Sequence, residues 1–268
     1  MIDFTRLGDI RRNRPLIHCV SNTVSANDCA NLVVAVGGSP IMACAEEEAA
    51  DIAAAAAAVV LNTGTPDRTK FAVCRLCGEA ASRLGRPVVL DPVGVGASPW
   101  RLEQVQALLD LFPAAIVRVN LGEARALTGS IRGGQGVDSP VPAPLEERID
   151  TALALAKRRR TAVLLSGPED LLTDGGSVWR VCGGSPLMAS VTGTGCMLSA
   201  LCGVFAAVEP EPLKAALLAS VFWKACARQA AGRAGEQGTG SFRTALLDAA
   251  GTLASEDLAR EAEPEQLR

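Results

Sequence analysis

The sequence predicts an α/β fold in which a mostly parallel central sheet carries helices on both faces. Over most of the 268 residues, short β-branched runs alternate with longer Ala- and Leu-rich amphipathic runs, which is the pattern of βα units feeding a parallel sheet. Polar residues also follow several of the short runs, at the positions where strands give way to loops. We therefore expect one continuous domain over residues 1–268, with an exposed tail from about residue 256.

The strands are predicted from apolar runs bounded by turn residues, as buried parallel strands require. These runs are residues 16–20, 40–43, 58–62, 87–91, 115–119 and 162–166. After Ser166 the alternation changes. Residues 170–173 and 177–181 flank Asp174-Gly175-Gly176, so we expect a hairpin that adds an antiparallel edge.

The helices are predicted from amphipathic or alanine-rich runs with capping or turn residues at their ends. They cover residues 27–36, 46–53, 67–84, 101–111, 145–159, 194–207, 212–231 and 241–253. The stretch 129–144 is rich in Gly, Pro and Ser and lacks periodicity. We interpret it as a surface loop rather than a linker between domains.

Composition and charge argue against a nucleic-acid partner. Aromatic residues make up only 3% of the chain, tyrosine is absent, and the formal net charge is −3. A protein that binds single-stranded nucleic acid needs aromatic faces for base stacking and a basic surface for phosphates. We therefore expect small-molecule partners and no nucleic acid.

The cysteines and the apolar runs indicate in which cellular compartment the protein is located. Nine cysteines are scattered through apolar segments, which fits a reducing cytoplasm better than a secreted disulfide framework. Cys74 and Cys77 form a CxxC pair, interpreted as two partly buried helical thiols because no second pair completes a zinc set. The longest apolar run, residues 52–61, is too short to cross a bilayer, so we expect a cytoplasmic protein with no membrane partner.

The segment Val191-Thr192-Gly193-Thr194-Gly195-Cys196-Met197 is the most informative part of the chain. Its two glycines precede an apolar helix, so the amides of Gly193, Thr194, Gly195 and Cys196 would converge where that helix begins. Such amides and the helix dipole favour a phosphate or a developing negative charge. The same field favours the thiolate of Cys196, which makes this thiol a candidate proton acceptor. The alternative is a tight loop that only caps the helix.

Polar residues at the carboxyl ends of the predicted strands form a second candidate cluster. In doubly wound sheets this edge is where ligands bind. The segments are Ser21-Asn22-Thr23, Asn62-Thr63-Gly64-Thr65, Asp91-Pro92-Val93-Gly94-Val95-Gly96 and Asn120-Leu121-Gly122-Glu123. Each alone is also a typical helix cap.

Asp91 and Glu123 supply two hard oxygen ligands, which suits Mg²⁺ held mostly through water and nucleotide phosphates. Arg118 is interpreted either as a ligand of a polyphosphate or as the partner of a salt bridge to Glu123. His18, the single histidine, is expected to have a structural or supporting role. Met42 is interpreted as a core residue or as the lining of an apolar ligand pocket.

No GxxxxGK[ST] motif occurs, which excludes a Walker-type phosphate loop. Several segments instead closely resemble the hydroxyethylthiazole kinase family, a ribokinase-like group of thiamine salvage, over about residues 15–248. These segments are Pro15-Leu16-Ile17-His18-Cys19-Val20-Ser21-Asn22, Ser39-Pro40-Ile41-Met42-Ala43, Leu90-Asp91-Pro92-Val93-Gly94-Val95-Gly96-Ala97, Asn120-Leu121-Gly122-Glu123, Pro186-Leu187-Met188, the Val191–Met197 segment and Gly240-Ser241-Phe242.

The resemblance implies a ribokinase-like three-layer fold and ATP-dependent phosphorylation of 4-methyl-5-(2-hydroxyethyl)thiazole, with Mg²⁺. It also implies a homotrimer with active sites between subunits, in which the Asn62 to Thr65 turn belongs to a neighbouring chain. The positions that match family roles are Asn22, Met42 and Gly193 for the thiazole alcohol, Arg118 and Ser166 for the nucleotide phosphates, Asp91 and Glu123 for magnesium, and Cys196 for the catalytic proton acceptor.

Two positions depart from the family pattern on the nucleotide side. The family usually has Arg-Gly-Asn where this chain has Arg118-Val119-Asn120, and Thr-Gly-Glu where it has Ser166-Gly167-Pro168. We expect Val119 to add bulk beside Arg118. Two other functions stay open at this point: a related kinase that acts on another heterocyclic alcohol such as a pyrimidine, and a catalytically silent binding protein.

Overall fold

A computed structural model describes residues 2–130, 143–261 and 264–268, without the side chains of 259–261. Its centre is one sheet, ordered β2-β1-β3-β4-β5-β6-β7-β8-β9. The strands are β1 (Leu16–Val20), β2 (Ser39–Ile41), β3 (Ala58–Asn62), β4 (Val88–Asp91), β5 (Ile116–Val119), β6 (Ala162–Leu165), β7 (Asp170–Thr173), β8 (Val178–Val181) and β9 (Glu265–Gln266).

The strands from β2 to β6 pair in parallel, and β7, β8 and β9 add an antiparallel edge. The predicted α/β class and the predicted hairpin are both confirmed. Because the strands β1 to β6 run in one direction, their carboxyl ends meet at one edge of the sheet. The loops that carry the candidate site residues therefore converge.

Helices cover both faces of the sheet, which gives three layers. They are α1 (Arg6–Asn13), α2 (Ala26–Val36), α3 (Glu46–Ala55), α4 (Arg68–Arg83), α5 (Pro99–Leu111), α6 (Leu121–Thr128), α7 (Leu145–Arg159), α8 (Thr194–Ala206), α9 (Pro212–Ala234), α10 (Thr239–Thr252) and α11 (Ser255–Glu261). One core contains residues of α1, α2, α8, α9 and α10. The other contains residues of α3, α4, α5, α6 and α7.

The strand β5 shows how the period of two divides its side chains between these cores. Ile116 packs in the core beside α8 and α9, whereas Val117 and Val119 pack in the core beside α6 and α7. Successive side chains of a strand point to opposite faces. Arg118 therefore lies on the α8 face, and Val119 does not stand beside it. Our expectation that Val119 crowds Arg118 was wrong for this reason.

Several elements were not predicted. The helix α1 is short and strongly charged and lies directly before Pro15, so it lacks a clear apolar period. The helix α6 follows its N-cap Asn120, which forms a capping box with Glu123; we had named this segment as a ligand-binding turn or a helix cap without predicting the helix after it. The prediction that the tail from residue 256 is exposed was wrong in part, because Leu258 is fully buried in the core and β9 pairs with β8.

The predicted surface loop 129–144 lies mostly outside the described residues. Within the described parts of the chain, no helix is long and apolar enough to span a membrane.

Candidate active site

The helix α8 begins at the glycine turn that the sequence singled out. Gly193 precedes it with φ of 92°, and no side chain caps the helix. Thr194 directs its hydroxyl away, to the carbonyl oxygen of Met188 at 3.1 Å. The first amides of α8 are therefore not occupied by a side-chain cap, which is the condition for binding an anion at a helix N-terminus.

Cys196 lies in the first turn of α8 and is partly exposed. Its Sγ accepts a hydrogen bond of 3.2 Å from Nδ2 of Asn22, which follows β1. The Asn22 amide is fixed in turn, because its Oδ1 accepts from the backbone N–H groups of Val24 and Ser25 at 3.0 Å each. The structure thus brings together two predicted site residues that are 174 positions apart in the chain.

Asn62, the last residue of β3, connects this pair to Asp91. Its Oδ1 accepts from Asn22 Nδ2 at 3.0 Å, and its Nδ2 donates to Asp91 Oδ2 at 2.8 Å. We had expected a neighbouring chain to supply the turn that starts at Asn62. In the structure Asn62 lies beside Asn22 and Asp91 of the same chain, because β3 lies between β1 and β4; the role of the turn in a trimer stays a prediction.

The two carboxylate oxygens of Asp91 have different surroundings. Oδ2 accepts from Asn62 and, at 2.7 Å, from the hydroxyl of Ser199. Oδ1 has no hydrogen-bond partner among the described residues, and the nearest cation, Arg118 Nη1, is 3.6 Å away. Burial raises the pKa of Asp91, with a further rise from Glu123 and an opposing effect of Arg118. A second cation near Oδ1 would offset the cost of keeping this buried group ionised.

Arg118 lies between Asp91, Ser166 and the start of α8. Its Nη2 donates to Ser166 Oγ at 2.6 Å, and its guanidinium lies against the α-carbon of Gly195. The alternative of a salt bridge from Arg118 to Glu123 is not what the structure has, since the carboxylate that Arg118 faces is Asp91. A guanidinium and a hydroxyl side by side are a suitable pair for phosphate oxygens.

Glu123 is held by backbone groups. Its Oε2 accepts from the N–H of Asn120 at 2.9 Å, and its Oε1 accepts from the N–H of Gly94 at 3.0 Å. The capping box of α6 thus also fixes this carboxylate near Asp91. Among the described residues, no group of three or more His, Cys, Asp or Glu side chains forms a cage for a metal ion. The two acids therefore suit an ion that keeps most of its water.

The remaining candidate residues lie either at the site or in the hydrophobic core. Met42 follows β2 and is partly buried against the same core as Cys196. His18 is fully buried in β1, and its Nε2 lies 3.0 Å from the carbonyl oxygen of Ala43, which agrees with a supporting role. Cys74 and Cys77 lie buried on α4, where burial raises the pKa of each thiol to about 12. We had predicted two partly buried thiols on a helix; the helix is confirmed, and both thiols are fully buried.

Comparison with known proteins agrees with this geometry. The model of the hydroxyethylthiazole kinase family matches residues 7–256. A hydroxyethylthiazole kinase of Shouchella clausii is 39% identical over 259 residues, covering 96% of this chain and 98% of that protein. The chain belongs to the hydroxyethylthiazole kinase family. The predicted resemblance is therefore confirmed.

Solved structures support the same family and fold. The hydroxyethylthiazole kinase protein of Pyrococcus horikoshii superimposes with a TM-score of 0.90 at 35% identity, covering 99% of this chain and 98% of that one. A pyridoxal kinase of Staphylococcus aureus, at 18% identity and a TM-score of 0.61, covers 80% of this chain and 87% of that one. This second likeness concerns the fold alone and confirms the ribokinase-like prediction.

A buried cation lies beside the loop in which this chain departs from the expected hydroxyethylthiazole kinase pattern. Lys224 on α9 donates from Nζ to the carbonyl oxygens of Gly167 and Pro168 at 2.9 and 2.8 Å. It also lies 3.4 Å from Asp170 Oδ1, and both side chains are almost fully buried. The loop that follows Ser166 is therefore held in place by Lys224 and Asp170, although Pro168 replaces the usual glutamate.

Sequence reasoning missed several residues that organise this hydroxyethylthiazole kinase site. Asn62 was noticed only as part of a turn, and Ser199 and Lys224 look like ordinary positions in apolar helices. Lys70 of α4 was also missed. Its Nζ donates to the carbonyl oxygens of Ser21 and Gly64 at 2.7 and 2.9 Å, so it joins the turns that follow β1 and β3. A polar residue within an apolar helix was the one available signal for Ser199 and Lys224.

Proposed function

We propose that this protein transfers the γ-phosphoryl group of ATP to the hydroxyl of 4-methyl-5-(2-hydroxyethyl)thiazole, a reaction of thiamine salvage that yields the alkyl phosphate and ADP. One observation carries the proposal. The first turn of α8 has Cys196 and Asn22 on one side and Arg118, with Ser166 and Asp91, on the other. A proton acceptor and a phosphate-binding set thus lie beside the same uncapped amides.

The alcohol side consists of Asn22, Met42, Gly193 and Cys196. Glycine is required at residue 193, since a Cβ at this position would come within 2.9 Å of Ser25 Cβ. Cys196 accepts or orients the proton of the substrate hydroxyl while that oxygen attacks the γ-phosphorus. The partly exposed sulfur already accepts a hydrogen bond from Asn22, and this favours its action as an acceptor.

The nucleotide side works by position and charge. Arg118 and Ser166 hold phosphate oxygens, and the amides of Gly193, Thr194, Gly195 and Cys196 stabilise the charge that spreads over the transferring group. In-line transfer needs little covalent chemistry from the protein, so holding the two substrates in line supplies most of the rate enhancement.

Asp91 and Glu123 are the residues that would hold Mg²⁺. The free Oδ1 of buried Asp91 supports this assignment, because a buried carboxylate oxygen without a partner is costly unless a ligand fills its place. When bound there, Mg²⁺ would neutralise part of the phosphate charge. Glu123 orients its oxygens through the N–H groups of Asn120 and Gly94, which leaves further lone pairs for metal-bound water.

The proposed assembly is a homotrimer with active sites between subunits, as the family resemblance implies. Val24 is 63% exposed and comes two residues after Asn22, so an apolar side chain stands at the mouth of the site and suits contact with another copy. Light scattering after size exclusion tests the trimer, and a monomeric mass would contradict it. The nine cysteines are scattered along the chain and six of them are buried, which supports our proposal of a cytoplasmic location.

A substrate panel tests the proposed reaction. Labelled ATP and Mg²⁺ are incubated with the protein and with the thiazole alcohol, a hydroxymethylpyrimidine or pyridoxal. We expect a labelled thiazole phosphate and ADP formation that depends on the thiazole alcohol. Preferred turnover of the pyrimidine would instead assign a related kinase activity, and binding of the thiazole alcohol without any ADP formation would identify a silent binding protein.

A further inference from the structure

Asn62 has a uniquely oriented amide at the centre of the site, with hydrogen bonds at both its oxygen and its nitrogen. It is 2% exposed, and its Nδ2 donates to Asp91 Oδ2 while its Oδ1 accepts from Asn22 Nδ2 and from the N–H of Gly64. The carboxylate only accepts and the backbone N–H only donates. The amide of Asn62 therefore cannot turn over without losing these bonds.

Asn62 holds the Nδ2 side of the Asn22 amide, while the N–H groups of Val24 and Ser25 hold its Oδ1. One N–H of Asn22 Nδ2 donates to Asn62 Oδ1 at 3.0 Å, and the same nitrogen donates to Cys196 Sγ at 3.2 Å. The first of these bonds aims the second N–H at the sulfur. Two neutral amides thus form a continuous chain of hydrogen bonds from Asp91 to Cys196.

We propose that Asn62 is a positioning residue that fixes the thiol of Cys196 relative to the carboxylate of Asp91. The inference rests on the proposed function, in which these two groups serve the alcohol and the phosphate respectively. Displacing a reacting group by about 1 Å can cost on the order of 10²-fold in rate. A rigid link between the two sides of the reaction keeps the acceptor of the hydroxyl proton in line with the phosphoryl group.

Ser199 provides a matched control, because it also donates to Asp91 Oδ2 but has no bond to Asn22 or Cys196 among the described contacts. Asn62→Leu removes the link on both sides and keeps the number of side-chain heavy atoms. Ser199→Ala removes a bond to Asp91 and one to the carbonyl oxygen of Gly195 but leaves the bonds between Asn62, Asn22 and Cys196 in place. If Asn62→Leu does not fold, as judged by circular dichroism, Asn62→Ser replaces it, since the shorter side chain loses the same two amide contacts.

The first measurement is the rate at which iodoacetamide alkylates Cys196 in the protein without substrates, followed by peptide mass spectrometry. The exposed Cys44 and Cys182 serve as internal references. We expect the Asn62 variant to change the rate of alkylation of Cys196 severalfold, because Asn22 would no longer direct a fixed hydrogen bond to the sulfur. Ser199→Ala should leave the rate at Cys196 within about twofold of the unmodified protein.

The second measurement is turnover of the thiazole alcohol. We expect kcat of the Asn62 variant to fall on the order of 10- to 100-fold. Unchanged alkylation of Cys196 in the Asn62 variant, or an equal change in Ser199→Ala, would overturn the proposed link. The alkylation arm needs no substrate, so it judges Asn62 even if the unmodified protein does not phosphorylate the thiazole alcohol, a result that would refute the proposed function instead.

Discussion

The guanidinium of Arg118 and the α-carbon of Gly195 are in direct contact. A Cβ at residue 195 would lie 2.7 Å from both Cζ and Nη1 of Arg118, which is closer than atoms can approach. The glycine at the start of α8 is therefore required by a neighbouring side chain as well as by a ligand.

Gly195→Ala is expected to displace Arg118 from Ser166 and Asp91. Because Arg118 is proposed to hold phosphate oxygens, kcat/KM for ATP should fall on the order of 10- to 100-fold. Steady-state kinetics with varied ATP measures this loss. Gly232→Ala on α9 is the control, since a Cβ there meets no atom within 4 Å, and its activity should remain unchanged. Equal kinetics in the two variants would contradict the prediction.

Cys196→Ala is expected to lower kcat by about 10² to 10⁴, because an alcohol loses its proton acceptor. Nucleotide binding, measured by calorimetry, should persist, since the predicted phosphate contacts come from other residues. The matched control is Cys202→Ala, which removes a fully buried thiol from the same helix and should retain turnover. A fully active Cys196→Ala protein would exclude the thiol from catalysis.

Lys224→Met is expected to destabilise the protein by about 3 kcal/mol, because Asp170 would be left buried without its cation. The loop after Ser166 would also lose its two bonds from Nζ, so the KM for ATP should rise. Denaturant titration and ATP kinetics measure the two effects. Lys214→Met is the control on the same helix, where the lysine only forms a surface ion pair with Glu211. The unfolding midpoint of Lys224→Met should be lower than that of Lys214→Met. An identical midpoint would show that the buried pair contributes little to stability.

The contribution of His18 to stability should decrease as the pH falls below about 6.5, the ordinary pKa of histidine. Burial lowers the pKa of His18 in the folded protein, so the unfolded chain takes up a proton that the folded chain refuses. The effect is absent above both pKa values and grows as the pH falls between them, by at most about 1.4 kcal/mol per pH unit. Since the chain has one histidine, His18→Gln should flatten the dependence of the free energy of unfolding on pH in this range. Parallel pH dependences of the two proteins would refute this account.

The elements with a strong apolar period were predictable from the sequence. The bounds of β1, β3, β7 and α7 agree with the structure to the residue, because each is a clear apolar or amphipathic run with punctuation at both ends. The helices α1 and α6 were missed, since short helices depend on caps and tertiary contacts more than on periodicity. The strand β9 has two residues, too few to carry any pattern.

The site was predictable in its parts and not in its connections. Asn22, Asp91, Glu123 and Cys196 are of residue types that chemistry needs, and they follow predicted strands or a glycine turn. Asn62 and Ser199 both donate to Oδ2 of Asp91 and so leave Oδ1 without a partner among the described residues. This arrangement depends on three-dimensional packing and has no signal in the sequence. The opposite directions of Arg118 and Val119, by contrast, follow from strand period alone and could have been derived from the sequence.

The two edge strands of the sheet are poorly suited to pairing with a strand of another molecule. At one end β2 has three residues and contains Pro40, which has no N–H to offer; at the other, β9 has two residues and Glu265 pairs with Arg180. Short, charged or proline-bearing borders discourage strand-to-strand docking between molecules. When several copies of this protein assemble, we therefore expect helices and loops to form the contacts between them. The sheet of one copy should not pair with the sheet of another.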